Sequence, residues 1–263
     1  MSPEFAGKVA LITGGGTGIG AATTTLLRQS GAHVIVMGPD TAALHRVAAA
    51  TGAVLVTGDA ADPDDCDTAV ALAQDRWGRL DTLIGSAGAG TFGTVLDAST
   101  EDWHRTLRAN LETAHIAAQR CLPALIDTAG TIVLVSSLAG HAAVPRSAGY
   151  VTAKHAVIGL VRSLASDFGP LGVRTNAVSP GLVRTAMADM VMDTLGAAAN
   201  LDRAEAYRRA TSLTPLRRAA EATQIAEVIA FLAGPRSAAV NGAILHADGG
   251  ASAIDLSMSG LTG

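Results

Sequence analysis

Short runs that are apolar throughout, rather than at every second residue, recur along this chain of 263 residues. They are "KVALIT" (8–13), "HVIVMG" (33–38), "AVLVTGD" (53–59), "LDTLIG" (80–85), "TIVLVSS" (131–137), "VRTNAVS" (173–179) and "AILHA" (243–247). A strand solvated on one face alternates apolar and polar residues, so a continuous apolar run describes a strand covered on both faces. Longer amphipathic stretches lie between the runs, at 18–31, 41–52, 62–77, 101–127, 148–168 and 221–233. Strands alternating with helices build βαβ units with right-handed crossovers. The predicted fold is therefore α/β, a doubly wound sheet of about seven parallel strands with helices on both faces. No linker, repeat or low-complexity tract divides it, so residues 1–263 read as a single domain. Only 186–220 breaks the alternation, and a segment inserted over the mouth of a site fits there.

Hydrophobic residues make up 49% of the chain and aromatic ones 3%, so the core must be built from Ala, Val, Leu and Ile. A net charge of −4 and a pI near 5.9 argue against nucleic acid as a partner, because such a surface needs a basic face. No apolar stretch approaches the ~20 residues that span a bilayer, so no membrane partner is expected. No basic or signal-like stretch precedes the first apolar run. Cys66 and Cys121 form no CxxC pattern and read as buried packing thiols. These features fit a cytoplasmic protein.

"TGGGTGIGAA" (13–22) follows the first strand and opens the first helix. A helix N-terminus with free N–H groups and a partial positive charge is suited to a dinucleotide pyrophosphate. Glycine lets the backbone turn and approach phosphate closely. The expected fold is thus Rossmann-type, with Gly14, Gly16, Thr17, Gly18, Ile19 and Gly20 at the cofactor. Asp59 ends the third run and is a candidate partner for an adenine amino group; the plainer reading is a capping carboxylate, a role better suited to Asp62. The small residues of "GSAGAG" (85–90) leave room for a cofactor at the carboxyl ends of the strands.

Tyr150 and Lys154 in "SAGYVTAKHA" (147–156) are four residues apart and share a helix face. An ammonium beside a phenol favours the phenolate and is expected to lower a pKa that is ordinarily near ~10, tuning the ring for proton transfer. Ser136 and Ser137 end the fifth run on the same sheet edge as the glycine loop. With these marks in order, together with "GDAAD", "GRLDTLIGSAG", Asn110 in "LRANLETA", "NAVSPGLVRT" and "HADGG", the chain resembles the short-chain dehydrogenase/reductase family over nearly its whole length.

The resemblance implies an NAD(P)(H)-dependent oxidoreductase that interconverts a small-molecule carbonyl and a secondary alcohol. Tyr150 would be the general acid or base, and Ser137 (favoured by spacing over Ser136) would hold the substrate oxygen. Lys154 would hold the nicotinamide ribose and lower the phenol pKa, while Asn110 would help hold a water that links Lys154 to solvent. Ala60, Ala87 and Gly88 would also contact the cofactor. Pro180 and Gly181 would pack on its nicotinamide, and the Val183 backbone and Thr185 hydroxyl would meet the carboxamide.

Two departures from the family stand out. Gly85-Ser86-Ala87-Gly88 replaces the usual Asn-Asn-Ala-Gly, so the asparagine hydrogen bonds are lost. At the end of the second strand, Gly38 and Pro39 replace the acid that selects NAD, and neither they nor Thr17 supplies the cation usual for NADP. Asp40 nearby fits either case. Because Gly38 leaves room for a 2′-phosphate, the expectation leans to NADP.

The histidines show no metal-ligand spacing, so no metal is expected. His141, between Ser137 and Tyr150, is a candidate substrate contact, whereas His155 should point elsewhere. Arg203, Arg208, Arg209, Arg217 and Arg218 read as a solvated face or as a docking site for an anionic substrate or acyl carrier. Met187, Met190 and Met192 read as packing or as an apolar lid. The tail at 251–263 suggests a homo-oligomer, a tetramer or dimer. A nucleotide-binding regulatory protein without turnover is the reading from another class; Ser137, Tyr150, Lys154 and Asn110 together weigh against it. A lyase or epimerase on the same scaffold remains open.

Overall fold

The computed structural model describes residues 4–90 and 93–255. Its strands are β1 (Val9–Thr13), β2 (His33–Gly38), β3 (Val54–Thr57), β4 (Thr82–Gly85), β5 (Thr131–Val135), β6 (Arg174–Pro180), β7 (Val183–Arg184), β8 (Ala220–Glu221) and β9 (Ile244–Ala247). Seven of them form one sheet in the order β3-β2-β1-β4-β5-β6-β9, every neighbouring pair parallel. β7 and β8 pair only with each other. The direction of winding reverses between β1 and β4, which opens a crevice beyond their carboxyl ends.

Alternate residues of each strand feed two cores. Val9 and Leu11 pack with α3 (Pro63–Trp77), α5 (Thr113–Asp127) and α6 (Ala148–Phe168). Ala10 and Ile12 pack with α1 (Gly18–Gln29), α2 (Thr41–Thr51) and α9 (Ala222–Ala233) on the opposite face. The helix boundaries follow local chemistry. Asp40 and Asp62 cap α2 and α3 with their carboxylates, and Gly52 and Gly78 close those helices in the left-handed conformation. Cys66 and Cys121 are free and buried in the first core; burial, with the neighbouring Asp65 adding to it, pushes the Cys66 thiol up to about 12.

At the amino edge of the sheet Asp81 is buried but fully engaged. Its carboxylate accepts from Lys8 Nζ at 3.0 Å, Val9 N at 3.0 Å and Arg79 Nε at 2.8 Å. Burial alone would raise its pKa; the Arg79 pair, the Val9 amide and Lys8 together hold it below the usual carboxylate value.

Three expectations change. The strands are shorter than the apolar runs: β3 stops at Thr57 and β5 at Val135, so Asp59, Ser136 and Ser137 lie in the loops beyond. The long helix expected at 101–127 is three pieces, α4 (Thr100–Leu107), a π-helical stretch Arg108–Glu112, and α5. Asn110 Nδ2 donates to the Thr106 carbonyl and also to the Ala89 carbonyl. A side chain competing for a carbonyl four residues back widens the helix there, in keeping with π-bulges at functional positions. The 186–220 segment holds α7 (Ala186–Ala198) and α8 (Arg203–Ala210), packed on each other around Met192, Ala206 and Tyr207. Among the described residues no helix is long and apolar enough to cross a membrane. Residues 91–92 and 256–263, which include most of the tail read as an oligomer contact, lie outside the described residues.

Gly85 faces a buried leucine of the next strand. A Cβ on Gly85 would lie 2.5 Å from Leu134 Cδ2 on the adjacent strand, and Leu134 is 1% exposed. Gly85→Asn, which restores the usual family residue, should therefore overpack the sheet and cost about 1–3 kcal/mol, seen as a lower melting temperature. In a Leu134→Ala background the same substitution should cost markedly less. Equal costs in the two backgrounds would refute the steric account.

Candidate active site

The loop from β1 to α1 is built by close backbone approach. Gly14 adopts φ +65°, and a Cβ there would lie 2.8 Å from Ala87 N and Ser86 O. A Cβ on Gly20 would lie 2.2 Å from the Gly14 carbonyl oxygen, so only glycine lets α1 begin this near the loop. Thr17 precedes the helix in an extended conformation and does not cap it. This leaves first-turn amides of α1 directed to the crevice. Gly16 packs against Ala43 and Leu44, Ile19 is half-buried, and Thr185 Cγ2 lies 3.1 Å from a Cβ built on Gly18. Across the crevice, Ala87 N donates to Thr13 Oγ1 at 3.4 Å.

Four side chains from three elements gather beyond β5. Lys154 on α6 is only 4% exposed, and its Nζ donates to the Val135 carbonyl at 3.0 Å. Its ammonium stands 5.5 Å from the centre of the Tyr150 ring. Ser137 lies close enough to the Tyr150 phenol to favour its charged form, and its Oγ accepts from Ala139 N at 3.1 Å. Ser136 points the other way and donates to the Lys154 carbonyl at 3.1 Å. It buttresses α6, which leaves Ser137 facing the crevice. Asn110 Oδ1 is buried without a partner among the described residues. A Cβ on Gly88 would lie 2.8 Å from that oxygen and 3.5 Å from Lys154 Nζ, so Gly88, Asn110 and Lys154 meet at one point.

Electrostatics correct one expectation. Burial raises the Tyr150 pKa, and Ser137 offsets this only in part. Burial also brings Lys154 down to about 8. Burial penalises the charged form of each group. The spacing alone implied a lowered phenol.

Other candidates are placed as follows. Asp59 Oδ2 accepts from Arg108 Nη2 at 2.8 Å, and Oδ1 accepts from Ala61 N at 2.9 Å. The carboxylate read as an adenine partner is thus already shared with a cation from 49 residues away. Ala60 is buried. Beside Gly38 the nearest atom to an added Cβ is 3.9 Å away, and Asp40 Oδ1 accepts from Ala43 N at 3.0 Å. Pro180 ends β6, Gly181 backs onto Asp248, Val183 is buried in β7, and the Thr185 hydroxyl caps α7 by accepting from Ala188 N. His141 is tied to Ser179 Oγ at 3.1 Å and lies tilted against His246 with 4.2 Å between ring centres. His155 is exposed on α6 and bonded to Val151. Arg203 bonds Asp193 and faces Asp189, Arg208 pairs with Glu205, and Arg218 donates to Gln224. Met192 is buried, whereas Met187 and Met190 are exposed.

The site fits a dinucleotide: a loop that a Cβ would obstruct, uncapped helix amides, and an orphaned acceptor beside a buried amine. Residues 14–252 match the family model described as enoyl-(acyl carrier protein) reductase. The chain is 41% identical to Protein MoaE of Klebsiella aerogenes, covering 95% of this chain and 97% of that one. It is 34% identical to trans-4-hydroxycyclohexanecarboxylate dehydrogenase of Sinomonas cyclohexanicum, covering 96% of each. The crystal structure of levodione reductase superposes with a TM-score of 0.89 at 28% identity, covering 95% of this chain and 100% of that one.

Lys154 gives a test in stability. Its folded pKa of about 8 lies below the ~10.4 of an unfolded lysine. Between those values the unfolded chain binds more protons, so stability from this group rises with pH across that window and is flat below it. From pH 7 to 10 the melting temperature of the wild type should gain several degrees relative to Lys154→Met. A constant difference would show that the ammonium is not desolvated.

Proposed function

Since the chain belongs to the short-chain dehydrogenase/reductase family, we propose that it is an NAD(P)(H)-dependent oxidoreductase that interconverts a ketone and a secondary alcohol with Tyr150 as the proton carrier. The observation that carries this reading is the gathering of Ser137, Tyr150, Lys154 and Asn110 beyond β5, facing the glycine loop. When bound, the nicotinamide supplies or accepts the hydride.

The chain's own residues do the rest. Gly14, Gly16, Thr17, Gly18, Ile19 and Gly20 would hold the pyrophosphate, and Asp59 and Ala60 the adenine. Ala87 and Gly88 would bed the riboses, and Pro180, Gly181, Val183 and Thr185 the nicotinamide. Ser137 donates a hydrogen bond to the substrate oxygen and fixes it beside the phenol. In reduction Tyr150 Oη gives its proton to that oxygen; in oxidation the phenolate takes it back. Lys154 holds the ribose hydroxyls and places positive charge where the phenolate forms. Asn110 Oδ1 would hold a water through which the proton is replaced. The 186–220 segment would close over the substrate.

For the cofactor we propose NADP(H). Gly38 leaves open space where an acid would repel a 2′-phosphate, and the Asp40 carboxylate is committed to capping α2.

Tyr150→Phe should reduce turnover by at least about 10²–10⁴-fold while dinucleotide binding, followed by fluorescence, persists. A variant as fast as the wild type would sink the assignment. Titration should show tighter binding of NADPH than of NADH, and the reverse order would overturn the cofactor choice.

A further inference from the structure

We infer that His141 is a positioning residue for the proposed reaction: its imidazole ties the turn that follows Ser137 to β6, and its contact with His246 makes that tie sensitive to acid. The inference rests on the reading above, which gives Ser137 the substrate oxygen, and adds a residue that sets where Ser137 stands. The turn is a short 3₁₀ helix, Leu138–Gly140, begun by Ser137 and closed by His141. Gly140 N donates to the Ser137 carbonyl at 2.8 Å, and His141 N donates to the Leu138 carbonyl at 3.0 Å. Two anchors hold it. On one side Gly140 lies so near α6 that a Cβ there would stand 2.7 Å from Ser136 Oγ and 2.9 Å from the Lys154 carbonyl oxygen. On the other side His141 Nε2 lies 3.1 Å from Ser179 Oγ. Ser179 is fully buried and comes just before Pro180 and Gly181, the proposed nicotinamide bed.

Strand register brings His246 into the same contact. Ser179 and His246 are partners across the parallel β6–β9 pair, so their side chains leave one face of the sheet side by side. The His141 ring meets both, bonded to the first and tilted against the second with 4.2 Å between ring centres. His246 is held in turn: Ser252 Oγ lies 3.3 Å from its Nδ1, and Asp248 Oδ2 lies 3.9 Å from it. Both histidines are exposed, so both exchange protons with solvent.

A protonated His141 could still donate to Ser179. What it cannot keep is the ring contact with a protonated His246, because two imidazoliums that close repel. The surroundings sharpen the conflict. Burial opposes a proton on His141 most, His246 on β9 and His155 and Arg162 on α6 oppose it too, and Asp248 beyond β9 favours it. The neutral ring is therefore the one that fits against Ser179 and His246, and acid should loosen the turn behind Ser137. The proton carrier does not share this sensitivity in the reducing direction, since burial keeps the Tyr150 phenol protonated throughout the acid range.

The test follows initial rates of reduction of 2,3-butanedione and cyclohexanone from pH 8 to 5 on dinucleotide-saturated enzyme. The wild type should lose kcat on the acid side. His141→Gln, whose amide has about the reach of Nε2 but does not titrate, should keep the neutral kcat within about threefold and lose that acid limb. His246→Asn should flatten the limb. His141→Ala should lower kcat about three- to tenfold, the worth of one hydrogen bond, with KM little changed, and adding Ser179→Ala should cost nothing further. No acid limb in the wild type, or one unchanged in His141→Gln and His246→Asn, overturns the inference. So does a loss confined to KM in His141→Ala, which makes His141 a substrate contact, and so do additive losses in the double variant. A second readout needs no turnover: protection of the Gly140 and His141 amides against hydrogen exchange, corrected for intrinsic rates, should fall from pH 7.5 to 5.5 in the wild type and hold in His141→Gln. Reduction of neither ketone counts against the proposed function, and exchange then decides the inference, which equal protection at both pH values overturns.

Discussion

Lys154 donates its ammonium to the Val135 carbonyl at 3.0 Å while almost entirely removed from water, and the site is organised around that contact. The carbonyl of a strand's last residue is one of the few acceptors a sheet covered on both faces can offer. Taking it fixes the start of α6 against β5. Ser136 reinforces the same junction by bonding the Lys154 carbonyl. With α6 pinned, Tyr150 stands one turn earlier on the same helix, near Ser137. The π-helical stretch then brings Asn110 to the same point from the other side, its amide held by the Ala89 and Thr106 carbonyls.

The two edges of the sheet show how stability and chemistry are separated. At the amino edge the buried Asp81 is satisfied by Lys8, Arg79 and the Val9 amide, a closed arrangement that holds strands together and offers nothing to a ligand. At the carboxyl edge polar groups are buried but left incomplete: Asn110 Oδ1 has no partner among the described residues, and the first turn of α1 has no side-chain cap. Unsatisfied buried groups cost free energy, and the cost is tolerable where a ligand completes them. The glycines serve the same edge. Gly14, Gly20 and Gly88 are each placed where a Cβ would strike backbone or the Asn110 oxygen, so the room they leave belongs to the binding surface.

The architecture was legible because its signal is repeated. Seven apolar runs, each bounded by turn residues, specify a sheet covered on both faces whatever happens at any one strand end. The glycine loop was legible from its place between strand and helix. What the sequence concealed depended on distant partners. Nothing in "RANLE" marks a π-helical turn, because the competing acceptor is Ala89, 21 residues away. Asp59 looked free, since Arg108 lies 49 residues further on. Nothing around Gly85 in the sequence shows that Leu134 on the next strand fills the space beside it. Choosing between Ser136 and Ser137 needed the direction of each side chain past the strand end, where strand alternation no longer applies.

The sign of the Tyr150 shift was hidden for a more general reason. Spacing on a helix gives the distance between two groups but not the depth at which they sit. At the surface an ammonium would lower a nearby phenol; under burial each charged form loses more hydration than the other returns. With the phenol held above its ordinary value and Lys154 at about 8, the proton belongs to tyrosine before it belongs to lysine. The Tyr150 phenol therefore keeps its proton across the neutral range. A phenolate at this depth needs a positive charge or a hydrogen bond in the crevice to offset its lost hydration.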